Sequence, residues 1–260
     1  MEQRISAGLD FSPASIEVTE DPGPSLAERA PVEVFYQHDF LLLRTNRAKF
    51  DDVVSRHLEP ALLADAVQCL STILGVDIRQ NVPWQRGEID LLAYHGASNT
   101  ALQVQAKAAV PPQGARMVAQ TESRTLEGAK QIRRFLELSD EERANVASAA
   151  IGRKLDRIDW SSSILVRTCL GTEKAWSGIS GYIPLNPILL RTALNRLFVQ
   201  SEFSFSKLDM AVAEDLTALR TRAVRGWSNK SFRLFGKTID LPLLDLNYDA
   251  IAAFRNRALA

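Results

Sequence analysis

The sequence predicts an α/β sandwich, a central mixed β-sheet flanked by α-helices, with the element order αβββαβ. Three observations carry that expectation. From Phe50 to Leu74 the apolar residues Leu62, Leu63, Ala66, Val67, Leu70, Ile73 and Leu74 recur at three- and four-residue steps, the stripe of an amphipathic helix. VDIRQNVPW, GEIDLLAY and TALQVQAKA then form three strand-like runs, the last two joined by the turn HGASN. SSILVRTCL (162–170) is apolar enough for a buried strand.

The remaining elements follow in order. Residues 1–30 end in EDPGPSLAERAP and show no sustained period, so they read as a flexible acidic tail. VEVFYQHDFLLLRT (32–45) suits a strand or a short buried segment. Gly75 is placed to end the first helix. The loop PPQGARMVAQTES leads into a second helix at about 124–138, RTLEGAKQIRRFLEL. GISGYIPLNPILLRTALNRLF gives a strand, a proline-marked turn and a helix. The last stretch gives a helix at about 206–223, the hairpin-like SFRLFGKTIDLPLL and a terminal helix from Tyr248. The expected organisation is a tail (1–30), a main α/β domain (31–200) and a helix/hairpin extension packed on it (201–260).

Composition narrows the class. Hydrophobic residues are 46% and charged residues 24% of the chain, as in an ordinary globular protein. No run approaches a membrane span, and MEQRISAGLDF lacks a basic-then-apolar signal, so the expectation is a cytoplasmic protein without membrane partners. Cys69 and Cys169 sit apart in apolar patterns and read as buried thiols rather than zinc ligands. No Gly-rich phosphate loop and no GxSxG elbow is present, and His38, His57 and His95 are scattered. Formal net charge is zero, yet residues 191–237 hold nine bases against Glu202, Asp209, Glu214 and Asp215. That imbalance suits a basic nucleic-acid face or an ordinary solvated one. Trp176, Trp227, Phe232 and Phe235 near it suit base stacking or core packing.

The chemistry concentrates in GEIDLLAYHGASNTALQVQAKA (87–108). Strand alternation puts Gln103, Gln105 and Lys107 on one face of the second run, and Glu88 and Asp90 on one face of the first. Pairing the runs brings Asp90 towards Gln105 and Lys107. An acid oxygen, an amide oxygen and the intervening backbone carbonyl, of Ala106, are hard ligands suited to Mg²⁺. A lysine beside them suits a water and a phosphate that gains charge. A solvated hairpin face would carry the same residue types.

GEIDLLAY followed by ALQVQAKA resembles the core of the PD-(D/E)XK, or restriction endonuclease-like, nucleases over roughly residues 50–195. The resemblance implies a DNA phosphodiester hydrolase using Mg²⁺, with Mn²⁺ as substitute, and Asp90, Gln105, Lys107 and a helix acid as catalytic set. It implies Asp90, Gln105, Ala106 and Glu59 around the metal. Gln105 stands where Asp or Glu is more common, and QAK is similar to the QxK of Mrr-like endonucleases. Two residues compete for the helix acid. Glu59 lies on the apolar stripe, although Pro60 also suits it as an N-cap, and Asp65 lies on another face. Glu88 suits a rim position.

QIRRF (131–135) is similar to the QxxxY element of RecB-like nucleases, with phenylalanine for tyrosine; that ring also suits the core. Lys130, Gln131, Arg133 and Arg134, with Arg124 and Arg116 upstream, are the expected DNA contacts. The expected role lies in bacterial defence, restriction or repair. Expected partners are DNA and either a second copy or a partner defence protein. The alternatives are an inactive nuclease-fold protein that binds DNA or scaffolds, and an effector that a partner activates.

Overall fold

The computed structural model describes residues 16–18, 54–108, 115–167, 172–198, 202–234 and 236–259. The segment 32–45, His38, Cys169, Phe235 and most of residues 1–30 lie outside the described residues. The chain divides into two compact units, residues 47–218 with 252–260, and residues 219–251 with 1–46.

Strand β1 (Ile16–Val18) belongs to the smaller unit and falls within the stretch read as a tail. In the larger unit a π-helical turn (Val54–Leu58) runs into helix α1 (Glu59–Leu70). Strands β2 (Val76–Trp84), β3 (Gly87–His95) and β4 (Thr100–Lys107) follow. Next come helices α2 (Ala115–Leu136) and α3 (Asp140–Ile151), then strand β5 (Asp159–Val166). A short helix α4 (Glu173–Gly178), strand β6 (Ile183–Leu185), helix α5 (Pro187–Phe198) and helix α6 (Leu208–Ala223) come after it. The smaller unit pairs β7 (Val224–Leu234) with β8 (Lys237–Leu246) and with β1, both antiparallel; helix α7 (Tyr248–Leu259) follows.

The architecture of the larger unit is a five-stranded mixed sheet, order β2-β3-β4-β5-β6, flanked by helices. The hairpins β2–β3 and β3–β4 are antiparallel, whereas β4–β5 and β5–β6 are parallel because helices make those connections. Alternation sorts the side chains into two layers. Leu102, Val104 and Ala106 of β4 face a core with Leu62, Ala66 and Leu70 of α1 and Ala193, Leu194 and Leu197 of α5. The opposite face meets Ile132 and Phe135 of α2 and Ala147 of α3.

Several expectations shift. α1 ends at Leu70, capped at Ser71, and Gly75 closes the turn that follows with φ +80°. Leu74 leaves the stripe and is 92% exposed. α2 begins nine residues before the expected position, Ala115 against 124, because polar residues on its outer face hid the period. Helix α3 was not anticipated: its fully buried residues are alanines, too small to draw a stripe, with Val146 and Ile151 only partly buried against the core. Its start is a capping box, Ser139 Oγ accepting from the Glu142 N–H at 3.2 Å while Glu142 Oε2 accepts from the Ser139 N–H at 2.8 Å. The sheet-bearing unit also runs past residue 200, since Phe205, Leu208, Ala211 and Val212 complete the α1 core. Ser161 Oγ donates to the Phe205 carbonyl at 3.0 Å, and the Phe205 N–H donates to Thr100 Oγ1 at 3.1 Å.

Candidate active site at the fork of the hairpin

Strands β3 and β4 pair from His95–Thr100 to Leu91–Val104, and the ladder stops there. β4 stays in the sheet through Lys107, opposite Val166 of β5, while β3 stays with β2 down to Gly87. The two strands therefore fork at Asp90 and Gln105. The cause lies partly in β2. Val76 and Ile78 of β2, with Leu91 and Ala93 of β3, pack on the α1 side, but Val82 and Trp84, with Ile89, pack on the α3 side. The ribbon changes the side it presents between those pairs, where the Asn81–Asp90 pairing is missing and Asn81 has φ 52°. Asparagine is one of the few residues that adopts that conformation readily.

Side chains bridge the fork. The Ala106 N–H donates to Asp90 Oδ2 at 2.7 Å, and Gln105 Nε2 donates to the Glu88 carbonyl at 2.8 Å. The second bond leaves Gln105 Oε1 as the free end of a side chain that is 1% exposed, buried without a partner among the described residues. An orphaned buried carbonyl oxygen is destabilising unless something electropositive meets it.

Charged groups gather around this oxygen's strand. Glu59 is the first residue of α1, with Pro60 at the second position, where a missing N–H costs nothing. Burial pushes its carboxyl above the usual range; Lys107 and Arg124 pull it down, Asp90 raises it further, and the Ala108 N–H lowers it. Asp90 is raised likewise, first by burial, against Lys107 and the Ala106 N–H, with Glu88 adding to the rise. Arg124 Nη1 lies 3.8 Å from Glu59 Oε1 and donates to the Ala108 carbonyl at 3.3 Å. Asp65 is exposed, so geometry selects Glu59 as the helix acid of this cluster.

Lys107 is held by its stem. A Cβ at Gly128 of α2 would lie 3.2 Å from Lys107 Cγ and 3.3 Å from Cε. The lysine chain thus runs across the one helix position without a side chain, and its ammonium reaches both acids through space. Gly128 was missed at the sequence level, where its signal was a glycine in the middle of an otherwise good helix.

The other candidate residues divide. Lys130, Arg133 and Arg134 are exposed and lie three and four residues apart, on one side of α2. Gln131 instead turns its amide oxygen inward, where it is buried without a partner. Phe135 is 0% exposed, wedged edge-on between Trp84 and Trp160 at centroid distances of 5.6 and 5.1 Å, so it is core. Glu88 is exposed and contributes its carbonyl rather than its carboxylate to the fork. At Ala106, the N–H is the group engaged with Asp90. His57 is exposed, and His95 is buried against Phe203, bonded to Ser98 and away from the cluster. Trp227 is 74% exposed in the smaller unit.

Among the described residues no three His, Cys, Asp or Glu side chains form a metal-holding group. The donor types near the fork are the Asp90 and Glu59 carboxylates, within electrostatic range of each other, and the unpaired Gln105 Oε1 of the neighbouring strand; oxygen donors of this kind fit a hard cation. No family model matches the sequence, and no curated protein or solved structure matches it. Among the described residues no helix is long and apolar enough to cross a membrane.

Proposed function

We propose that the chain is a metal-dependent nuclease that hydrolyses DNA phosphodiester bonds at the β3–β4 fork, on a restriction endonuclease-like core of the QxK type. The observation that carries this reading is the convergence of Glu59, Asp90, Lys107 and Arg124 at the fork whose other strand carries the buried, unpaired oxygen of Gln105. Structural hairpins do not need two acids raised by burial next to an amide with no partner.

Asp90, Gln105 and Glu59 would hold Mg²⁺ or Mn²⁺, with the Ala106 carbonyl added by the resemblance. The bound cation supplies a more acidic water and a counter-charge for the phosphate. Lys107 orients the attacking water and meets the charge that grows on the phosphate oxygens. The Ala106 N–H fixes the Asp90 carboxylate, and the Glu88 carbonyl fixes which end of the Gln105 amide faces the site. Arg124 pairs with Glu59 and would meet a phosphate bound at the fork, and exposed Lys130, Arg133 and Arg134 would steer the polyanion. Gln105 brings no charge, so metal affinity is lower than in an all-carboxylate site, and activity needs millimolar Mg²⁺. DNA defence, restriction or repair is the setting that suits this chemistry.

A second reading has its own support. Asp90 and Gln105 each spend one polar atom closing the fork, which suits a nuclease-fold scaffold that binds DNA without cutting it. The experiment is to incubate wild type and Lys107→Ala with linear, circular and single-stranded DNA in Mg²⁺ and in Mn²⁺. Cleavage by wild type alone supports the enzyme. No cleavage, with no Mn²⁺ uptake by calorimetry at millimolar metal, supports the scaffold. Cleavage that requires an added partner protein supports an activated effector.

A further inference from the structure

Three buried amide atoms in the larger unit have no hydrogen-bond partner among the described residues: Gln103 Nε2, Gln105 Oε1 and Gln131 Oε1. Gln103 and Gln105 are 0% and 1% exposed, and alternation puts both on the face of β4 that α2 covers. α2 crosses this face between two anchors. At one end Gly128 abuts the Lys107 stem. At the other Phe135 packs on Trp160, whose strand partner is Ala101. Gly128, Gln131 and Phe135 lie on one helical stripe, so Gln131 falls between the anchors, over the Gln103–Gln105 row.

We infer that one buried water bridges Gln103, Gln105 and Gln131, making Gln103 and Gln131 positioning residues that tie α2 to the fork. The valences match. A water donates two hydrogen bonds and accepts at least one, and the orphan set is two acceptors and one donor. Gln103 Oε1 takes a long bond from Ser162 Oγ at 3.4 Å, which turns its NH₂ end towards the row. Gln105 Nε2 is committed to Glu88, so its oxygen faces the same space. A polar site with three partners is the kind that holds an ordered water. The Gln103 NH₂ has two N–H groups, enough for both oxygens, but none of the three atoms is within hydrogen-bond reach of another side chain among the described residues, so a bridging molecule has to join them.

The consequence for the cation rests on the nuclease reading. Gln105 Oε1 has two lone pairs; with one taken by the water, the other would be left for a cation, and the water would hold the amide in place. The inference itself has a readout that needs no activity. Wild-type crystals at a resolution that places waters should show one within hydrogen-bond reach of all three amides. Direct bonding between the amides, or a site without density, would overturn it. On the same preparation, Gln131→Leu should keep the wild-type circular dichroism and lose about 10- to 100-fold in Mn²⁺ affinity by calorimetry. Unchanged affinity in that variant would remove the positioning role. A wild type that shows the water but takes up no Mn²⁺ would defeat the nuclease reading and leave the water in place.

Discussion

Asp90 and Asp215 are both acids set into the packed body of the sheet-bearing unit, and they are held in opposite ways. Asp215 is 4% exposed and its Oδ1 is in direct contact with Arg196, which also reaches Glu214 Oε2 at 2.8 Å. The pair ties α5 to α6 and spends its charge there. Asp90 has a cation within electrostatic range, Lys107, but its own bond goes to a backbone N–H, and burial raises its carboxyl. Asp215 Oδ2 is buried without a partner among the described residues, but the charge of the acid is met by a bonded guanidinium, which makes it structural. An acid that is desolvated, with an ammonium near it but not bonded to it, is on the proposed reading kept for the cation and the phosphate.

The largest effects should separate the two cations. Arg196→Ala leaves Asp215 buried against nothing and should cost about 2–3 kcal/mol in urea unfolding, below the full buried-pair value because Arg196 is partly exposed. Lys107→Ala should leave the unfolding curve close to wild type and cut DNA cleavage by about 100- to 1,000-fold. A stability loss at Lys107 as large as that at Arg196 would erase the distinction.

The same substitution at the two acids should next give opposite signs. Asp215→Asn loses a charge-assisted bond and should destabilise by about 1–3 kcal/mol. Asp90→Asn keeps an oxygen for the Ala106 N–H and removes a desolvated charge. A gain of about 1 kcal/mol would raise its melting temperature by about 2–4 °C. A lower melting temperature for Asp90→Asn would show that this acid is structural too.

The pH dependence sharpens the contrast. Folded pKa values of Glu59 and Asp90 lie above the unfolded ones, so the folded state binds more protons in between. Stability carried by these groups therefore falls as pH rises from the ordinary carboxylate range through the raised values. The Glu59→Gln, Asp90→Asn double variant should flatten that slope in urea unfolding across pH, and an unchanged slope would count against raised acids at the fork.

The smallest effect concerns the stem. Gly128→Ala improves helix propensity by about 1 kcal/mol but pushes a methyl against Lys107. Stability should hold or rise while cleavage drops several-fold, and equal cleavage would mean the lysine's path is free.

Much of the site was legible because strand alternation and the HGASN turn fix which residues of GEIDLLAY and ALQVQAKA can meet. Glu59 was legible only as one of two acids; Pro60 suited both a cap and a first turn, and burial decided it. Gln131 was expected at a DNA surface, but helical period alone does not tell which stripe a sheet will cover. Gly128 and Asn81 were invisible because their roles are a missing side chain and a backbone angle; Gln103 was placed on the face of Gln105 and Lys107, but alternation does not show which amide atom is left unpaired. Helix α3 was hidden by alanines, although its Ser139–Glu142 box stood in the sequence.

The central claim is that Asp90 is held desolvated, with no cation bonded to it, for catalysis. Cleavage of linear duplex DNA by wild type and Asp90→Asn, in Mg²⁺ and in Mn²⁺ and at matched folded concentration, tests it most directly. Wild type should cut and Asp90→Asn should leave the DNA intact; cutting by the variant at the wild-type rate would contradict the account.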